Sequence, residues 1–295
     1  MKNTLTKVAF WFLAILITLG SSVYQRLTGP TNPKRITEEF CNVEYSFKLP
    51  RSGNEEDCAV ILKGFGAKDS LSLPDDTKFE EFSASIFWKR YPTNDEFQEI
   101  KMNPTPDGLT GYLPAQPAAG KLEYYIVATK QVKTANGDIN RSTKSICKND
   151  PLIIRFKSNV PAWVLIPHIL CMFISMLFAA YALLCAIANM EKQYKRYTLL
   201  SFILIIIGGF IFGPIVQKYA FDIYWSGFPY GSDLTDNKTL FAAIALLAAV
   251  LTRKFNWNRW MVILAVLVMF VVFSIPHSTR GSELNYNTGT IESAE

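Results

Sequence analysis

Charge is missing from five long stretches of this chain, and that pattern limits what it can fold into more than any motif does. Val8–Gln25, Val160–Met190, Tyr197–Gln217, Thr239–Thr252 and Trp260–Thr279 contain no Lys, Arg, Asp or Glu. Several of these runs approach or exceed the roughly 20 apolar residues needed to cross a bilayer. The mean hydropathy of +0.14 and 19% charged residues resemble a globular average only because a polar segment lies between the first two runs. A single water-soluble domain, a collagen-like chain and a disordered polymer are excluded. The pattern predicts a multi-pass membrane protein.

Basic flanks set the expected orientation, because Lys and Arg beside apolar segments are held on the cytoplasmic side. Lys2, Lys7, Lys192, Lys195, Arg196, Arg253, Lys254 and Arg259 put eight on one side, against three, Lys218, Lys238 and Arg280, on the other. The expectation is a cytoplasmic N-terminus, five spans and residues 280–295 as an extracytoplasmic tail. Residues 1–25 are either an uncleaved anchor or a signal peptide, since Lys2 and Lys7 precede a short apolar run that ends at Gly20-Ser21-Ser22. The fourth run is the weakest span, because its 14 residues reach only about 21 Å against about 30 Å of hydrocarbon. Snorkelling by Lys238 and Arg253 would close part of the gap; a re-entrant segment is the alternative.

Between about 26 and 158 the pattern changes to short runs of period 2 broken by Pro, Gly, Asn and Asp, the signature of an antiparallel β-sandwich. Seven strands are expected, at Glu44–Leu49, Ala59–Gly64, Ala84–Tyr91, Phe97–Met102, Leu109–Leu113, Leu122–Thr129 and Leu152–Lys157. Leu122, Tyr124, Ile126 and Ala128 would share one face, and Ala84, Ile86 and Trp88 another. The segment GYLPAQPAAGKLEYYIVA, Gly111 to Ala128, resembles consecutive strands of fibronectin type III and immunoglobulin-like sandwiches. There Tyr124 is placed either as a corner tyrosine bonding neighbouring backbone or as a core aromatic. Cys41, Cys58 and Cys147 lie outside the spans, where a disulfide is permitted. Cys41–Cys147 is the favoured pair if first and last strands are neighbours, with Cys58–Cys147 or no bridge as alternatives.

The four later runs, residues 159–279, are joined by short connections and predict an antiparallel four-helix bundle. The expected fold class is thus a membrane α-helical bundle, four spans plus an N-terminal anchor or signal, with an inserted all-β immunoglobulin-like sandwich. Pro167 and Pro214 should kink or end their helices, and Gly208-Gly209 should mark close helix contact. Both histidines of the chain sit in Ile-Pro-His, His168 and His277, at the same expected leaflet. They could ligate the iron of a b-type haem or, with Asp233, Asp236 or Glu283, a divalent metal. Alternatively each bonds a carbonyl freed by its proline.

The outer loop at 217–238 carries Tyr219, Phe221, Tyr224, Trp225, Phe228 and Tyr230. Such rings suit the headgroup layer, as a belt or as a lid over the two histidines, with Asp233 and Asp236 supplying carboxylates. Asp236 reads as the helix cap and Asp233 as the freer carboxylate.

Four segments, VPAWVLIPHIL, GPIVQKYAF, DLTDNKT and IPHSTRGSEL, taken in that order resemble a family of bacterial polytopic membrane proteins with an extracytoplasmic immunoglobulin-like domain and no assigned activity. The similarity runs over most of residues 84–286. It implies multi-pass residence in the bacterial cytoplasmic membrane with the β domain outside.

No phosphate loop, dinucleotide fingerprint, HExxH or Ser-His-Asp set is present, so hydrolase chemistry has no support. The net charge of +5 is largely that of the span flanks and does not argue for nucleic acid. A binding or accessory protein, with the lipid bilayer around it and a membrane or periplasmic protein as partner, is the leading expectation. A redox or metal module on His168 and His277 is the second, and a transporter the third.

Overall fold

The computed structural model describes residues 2–65, 79–133, 139–276 and 281–293. They form two compact units, one of residues 1–30, 159–283 and 291–295, the other of residues 31–158 and 284–290.

The first unit is helical. Among the described residues four helices are long and apolar enough to cross a membrane: Thr4–Thr28 within α1 (Lys2–Thr28), Ala162–Ile187 (α2), the continuous Glu191–Phe221, and Leu234–Lys254. The third comprises α3 (Glu191–Ile205), a π-helical segment (Ile206–Phe212) and α4 (Gly213–Phe221). The fourth is α5 (Leu234–Leu251) closed by one 3₁₀ turn. The fifth, α6 (Asn258–Ser274), has 17 residues, about 26 Å. The short element is therefore the last helix and not the fourth. α5 gains its extra length by taking Asp236 and Lys238 into its first turns.

Lys238 is the sharpest departure from expectation. It does not snorkel outward; it is 4% exposed, and its ammonium donates to the Ile275 carbonyl at 2.8 Å. Gln25 of α1 donates to the Phe273 carbonyl. Neighbouring helices thus cap the last carbonyls of α6, which the helix cannot satisfy internally.

α1 packs on the periphery of the bundle, against α2 and α6, with most of its large apolar side chains exposed. Ala14 is fully buried, and Trp11 stacks on Tyr181 at 4.2 Å with its edge toward Phe178 and Tyr197. Between α2 and α3, Ser175 donates to the Ser201 carbonyl at 2.8 Å and Ser201 to the Ser175 carbonyl at 2.9 Å, a reciprocal tie between helices. Pro214 falls in the first turn of α4, where its missing N–H follows directly on the π-helical widening, and the long helix continues instead of ending. A Cβ on Gly209 would lie 2.5 Å from Thr239 Cγ2, so only glycine lets α5 approach the π segment this closely.

The second unit is sheet-rich. In chain order its strands are β1 (Lys34–Phe40), β2 (Val43–Leu49), β3 (Ser52–Gly53), β4 (Cys58–Lys63), β5 (Phe79–Arg90), β6 (Gln98–Lys101), β7 (Asn103–Thr105), β8 (Gly108–Leu113), β9 (Lys121–Lys133), β10 (Ile139–Ile146) and β11 (Leu152–Phe156). They make a six-stranded sheet in the order β3-β11-β9-β5-β6 with β10 also on β9, a three-stranded sheet β4-β8-β7, and the hairpin β1-β2. The chain changes sheet at the buried Met102, between β6 and β7. A Cβ on Gly111 of β8 would meet Ile86 Cδ1 of β5 at 2.6 Å, which places the two sheets in close contact around one core.

All seven expected strand positions are occupied by strands. Leu122, Tyr124, Ile126 and Ala128 share the buried face of β9, as do Ala84 and Ile86 on β5, while Trp88 is only half-buried. Two long strands had no hydrophobic signature: β1, half-buried on one side, and β10, exposed along nearly its whole length and held by its ladder to β9. Tyr124 is fully buried, and its hydroxyl donates to the Pro50 carbonyl at 2.8 Å. Its partner is a distant turn, not neighbouring backbone.

The described residues of the tail are divided between the two units. Tyr286 belongs with the sheets: its hydroxyl lies 2.9 Å from the Lys121 carbonyl and accepts from the Lys121 N–H at 3.0 Å, with Arg90 over its ring at 5.2 Å.

All five cysteines are free, so the Cys41–Cys147 bridge is not formed. Cys41 follows the last residue of β1 in a turn with positive φ, whereas Cys147 lines a groove with Lys34, the first residue of that strand.

Candidate functional site

Two places concentrate side chains with recognition chemistry, one in each unit. On β5 and β9 the inward positions fill the core, so period 2 assigns the intervening positions to the outer face. That face of an antiparallel sheet is ordinarily polar. Here Phe87 and Tyr125, direct cross-strand partners, stack at 5.1 Å between centroids. Phe97 sets its edge on Tyr125 at 5.0 Å and remains 37% exposed.

An ion pair and a hydrogen-bonded pair frame the three rings. Lys89 lies 5.2 Å over Phe97 and 3.0 Å from Glu123 Oε1, and Ser85 donates to Glu99 at 2.7 Å. An aromatic centre inside a polar rim is the anatomy of a protein-binding surface. Sequence reasoning missed it, although the signal was present. In β5 and β9 the outward positions 87 and 125 are aromatic where the sandwich pattern calls for polar residues.

The sheet unit also holds shifted titratable groups. Burial pushes the Cys58 and Cys147 thiols up. Burial, then the two cysteines, raise the Tyr124 hydroxyl well above its ordinary range. The Arg90 guanidinium, bonded to Asp95 Oδ2 at 2.6 Å, lowers that carboxyl.

In the helical unit, residues expected as ligands form a closed hydrogen-bond hub where α4 gives way to α5. Asp233, 3% exposed, is the N-cap of α5. Its Oδ1 accepts from the Thr235 N–H at 2.7 Å, and its Oδ2 from Ser226 Oγ at 3.0 Å and the Ser282 N–H at 3.1 Å. Asp236, 7% exposed, turns back onto the loop, accepting from the N–H groups of Ser226 at 2.7 Å and Gly227 at 3.1 Å. The two carboxylates exchange their expected roles, Asp233 capping and Asp236 pinning the loop.

Ser226, absent from every sequence pattern, is the centre of this hub, and Gln217 of α4 donates to its hydroxyl at 2.7 Å. Buried carboxylates with this many donors are satisfied rather than poised for a ligand.

His168 on α2 donates from Nδ1 to the Gly208 carbonyl at 2.8 Å, an oxygen that also takes the Gly213 N–H across the π-helical turn. Its bond is therefore to a carbonyl of the next helix and not to one freed by its own proline, and only Nε2 is left for other chemistry. His277 lies outside the described residues. Glu283 is half-buried. Among the described residues no three His, Cys, Asp or Glu side chains gather to hold a metal, and the expected pair of His168 with His277 falls partly outside them.

The aromatic loop does not close as a lid. Tyr219 and Phe221 belong to α4, and Tyr224, Phe228 and Tyr230 are exposed. Trp225 alone folds back, stacking on Phe210 at 5.5 Å and donating from Nε1 to the Phe228 carbonyl at 3.1 Å.

No protein-family model, curated protein or solved structure matches the chain.

Proposed function

We propose that this chain is a binding or accessory subunit of a bacterial cytoplasmic membrane complex. In this reading the sheet-rich unit is an immunoglobulin-like sandwich on the extracytoplasmic side, the helices anchor it, and the partner is a membrane or periplasmic protein. The observation that carries it is the aromatic face of Phe87, Phe97 and Tyr125, framed by Lys89–Glu123 and Ser85–Glu99. Three rings on the outer side of a sheet add nothing to the core beneath. Their area becomes favourable when a second surface covers them, by about 25 cal/mol per Å² of apolar area buried.

The test is a photo-crosslinking amino acid at position 125 in the full chain in living cells, with Phe97→Asp as the control. One discrete crosslinked protein, lost in Phe97→Asp while expression and membrane insertion are unchanged, is expected. A chain recovered only as an uncrosslinked monomer would remove the support for this function.

A further inference from the structure

β1 is an edge strand. One side of it pairs with β2, and among the described residues no strand pairs with the other. Phe40 and Val43 close the two-residue turn Cys41-Asn42, in which both residues have positive φ. The closing pair of such a hairpin exchanges its hydrogen bonds, and the pattern alternates from there. The backbone groups of Phe40, Glu38, Ile36 and Lys34 therefore face β2, and those of Glu39, Thr37 and Arg35 face away from it. The outward direction is visible at Glu39, whose carbonyl accepts from the Lys144 ammonium of β10 at 3.3 Å.

Beside this edge lies a groove of about 570 Å³, lined by Lys34, Ile36 and Glu38 of β1 and by Ser145, Cys147 and Lys148 among others. We infer that the groove receives an extended peptide segment of the partner protein, which adds to β1 as a strand and carries an acidic side chain. The inference rests on the reading of the chain as a binding subunit and gives it a second surface, separate from the aromatic face.

The edge selects a peptide over a compact solute. Outward N–H and C=O groups recur at every second residue, about 7 Å apart, a spacing that another extended backbone matches along its length. The Lys144 ammonium on the Glu39 carbonyl already occupies one place where the N–H of an added strand would donate. Lys144 is also paired with Glu38 at 2.9 Å, and both side chains are partly exposed. Surface pairs of this kind hold weakly, so an incoming strand can displace the lysine.

The lining sets the side-chain preference. Lys34 is matched by Asp150 at 3.1 Å and Lys144 by Glu38, whereas Lys148 is exposed and has no described acidic partner. It is the cation left for a carboxylate of the peptide. Ile36 and Cys147, both half-buried against the core of the sheet unit, offer an apolar seat for a neighbouring side chain. Main-chain bonds thus supply the general attraction and these positions the selectivity. Binding is reversible and involves no covalent step.

Panning a phage-displayed library of random dodecapeptides on the detergent-purified full chain tests this assignment, with fluorescence anisotropy of the enriched peptides as the measure of affinity. The enriched sequences should contain Asp or Glu. They should bind Thr37→Pro at least about fivefold more weakly, because proline deletes an outward N–H and leaves the ladder to β2 whole. Thr37→Val keeps that N–H and should bind as the wild-type chain does. Lys148→Glu, at an exposed position where folding is not at stake, should weaken the same peptides. No enrichment, or undiminished binding to Thr37→Pro or Lys148→Glu, would overturn the assignment. Peptides lost in Phe97→Asp but kept in Thr37→Pro would overturn it while supporting the aromatic face as the binding surface. A wild-type dimer that Thr37→Pro dissociates would overturn it in favour of a second copy of this chain.

Discussion

The Tyr124 hydroxyl donates to the Pro50 carbonyl at 2.8 Å, joining the centre of β9 to the turn that leaves β2. The ring above that bond is fully buried in the core of the sheet unit, so one side chain both fills the interior and fixes a distant loop. Tyr124→Phe keeps the packing and strands the carbonyl. The expected cost is about 1–2 kcal/mol, the usual penalty for an unsatisfied buried acceptor, and it is read as a lowered unfolding midpoint of the sheet unit in the full chain.

Alkaline pH should weaken the same unit. Burial raises the Cys58 and Cys147 thiols above their ordinary 9.0 and the Tyr124 hydroxyl above its ordinary 10.0. Between the ordinary and the raised values the unfolded chain has released protons that the folded chain retains. Stability is therefore complete below about pH 9 and falls as pH rises through the raised values. Equilibrium unfolding from pH 8 to 11 should show that decline, and Cys58→Ser with Cys147→Ser should delay its onset. A stability that stays flat to pH 11 would contradict the burial of these groups.

Gly209→Ala should loosen the helical unit, because the new methyl would stand 2.5 Å from Thr239 Cγ2. Overpacking of this kind costs about 1–3 kcal/mol. Thr239→Ser removes the opposing methyl yet keeps the hydroxyl that donates to the Thr235 carbonyl at 3.0 Å. The double variant should regain most of the loss, a coupling that a thermal-melt double-mutant cycle in detergent measures directly.

Asp233→Ala should cost more than Asp236→Ala. Asp233 caps α5 and also holds Ser226 and Ser282, whereas Asp236 holds the loop at Ser226 and Gly227 and caps no helix. Losing a buried hydrogen-bonded carboxylate costs about 3–5 kcal/mol when it leaves its partners charged or unpaired. Lys238, also buried, would lose the negative charge of Asp233 that acts on it. Thermal unfolding of the two variants in one detergent gives the order, and a less stable Asp236→Ala chain would show that the loop, not the cap, governs this end of the bundle.

Much of the architecture was already legible along the chain. The uncharged runs locate the helices because a hydrocarbon slab excludes charge from any stretch that crosses it, whatever its neighbours do. The alternation in β4, β5 and β9 locates strands because one side of each is buried. β10 left no such trace: its side chains are exposed on both faces and only the ladder to β9 makes it a strand. A ladder is a pairing of backbone groups, and backbone is the same at every residue.

The candidate sites divide on the same line. Phe87 and Tyr125 were readable as aromatics out of phase with the core pattern, since phase along a strand is a local property. Lys238 was not, because a lone lysine at the edge of an apolar run has the same surroundings in sequence whether it reaches water or the carbonyl of Ile275, 37 residues later. Asp233 and Asp236 were visible as acids before a helix, yet their division of labour depends on where Ser226 and Ser282 come to rest. Composition and periodicity alone thus establish which segments are apolar, which are extended and which side of each strand is dry. Which buried polar atom meets which was settled by the packed chain, because a hydrogen bond depends on positions to within a few tenths of an ångström that residues far apart in sequence acquire only together.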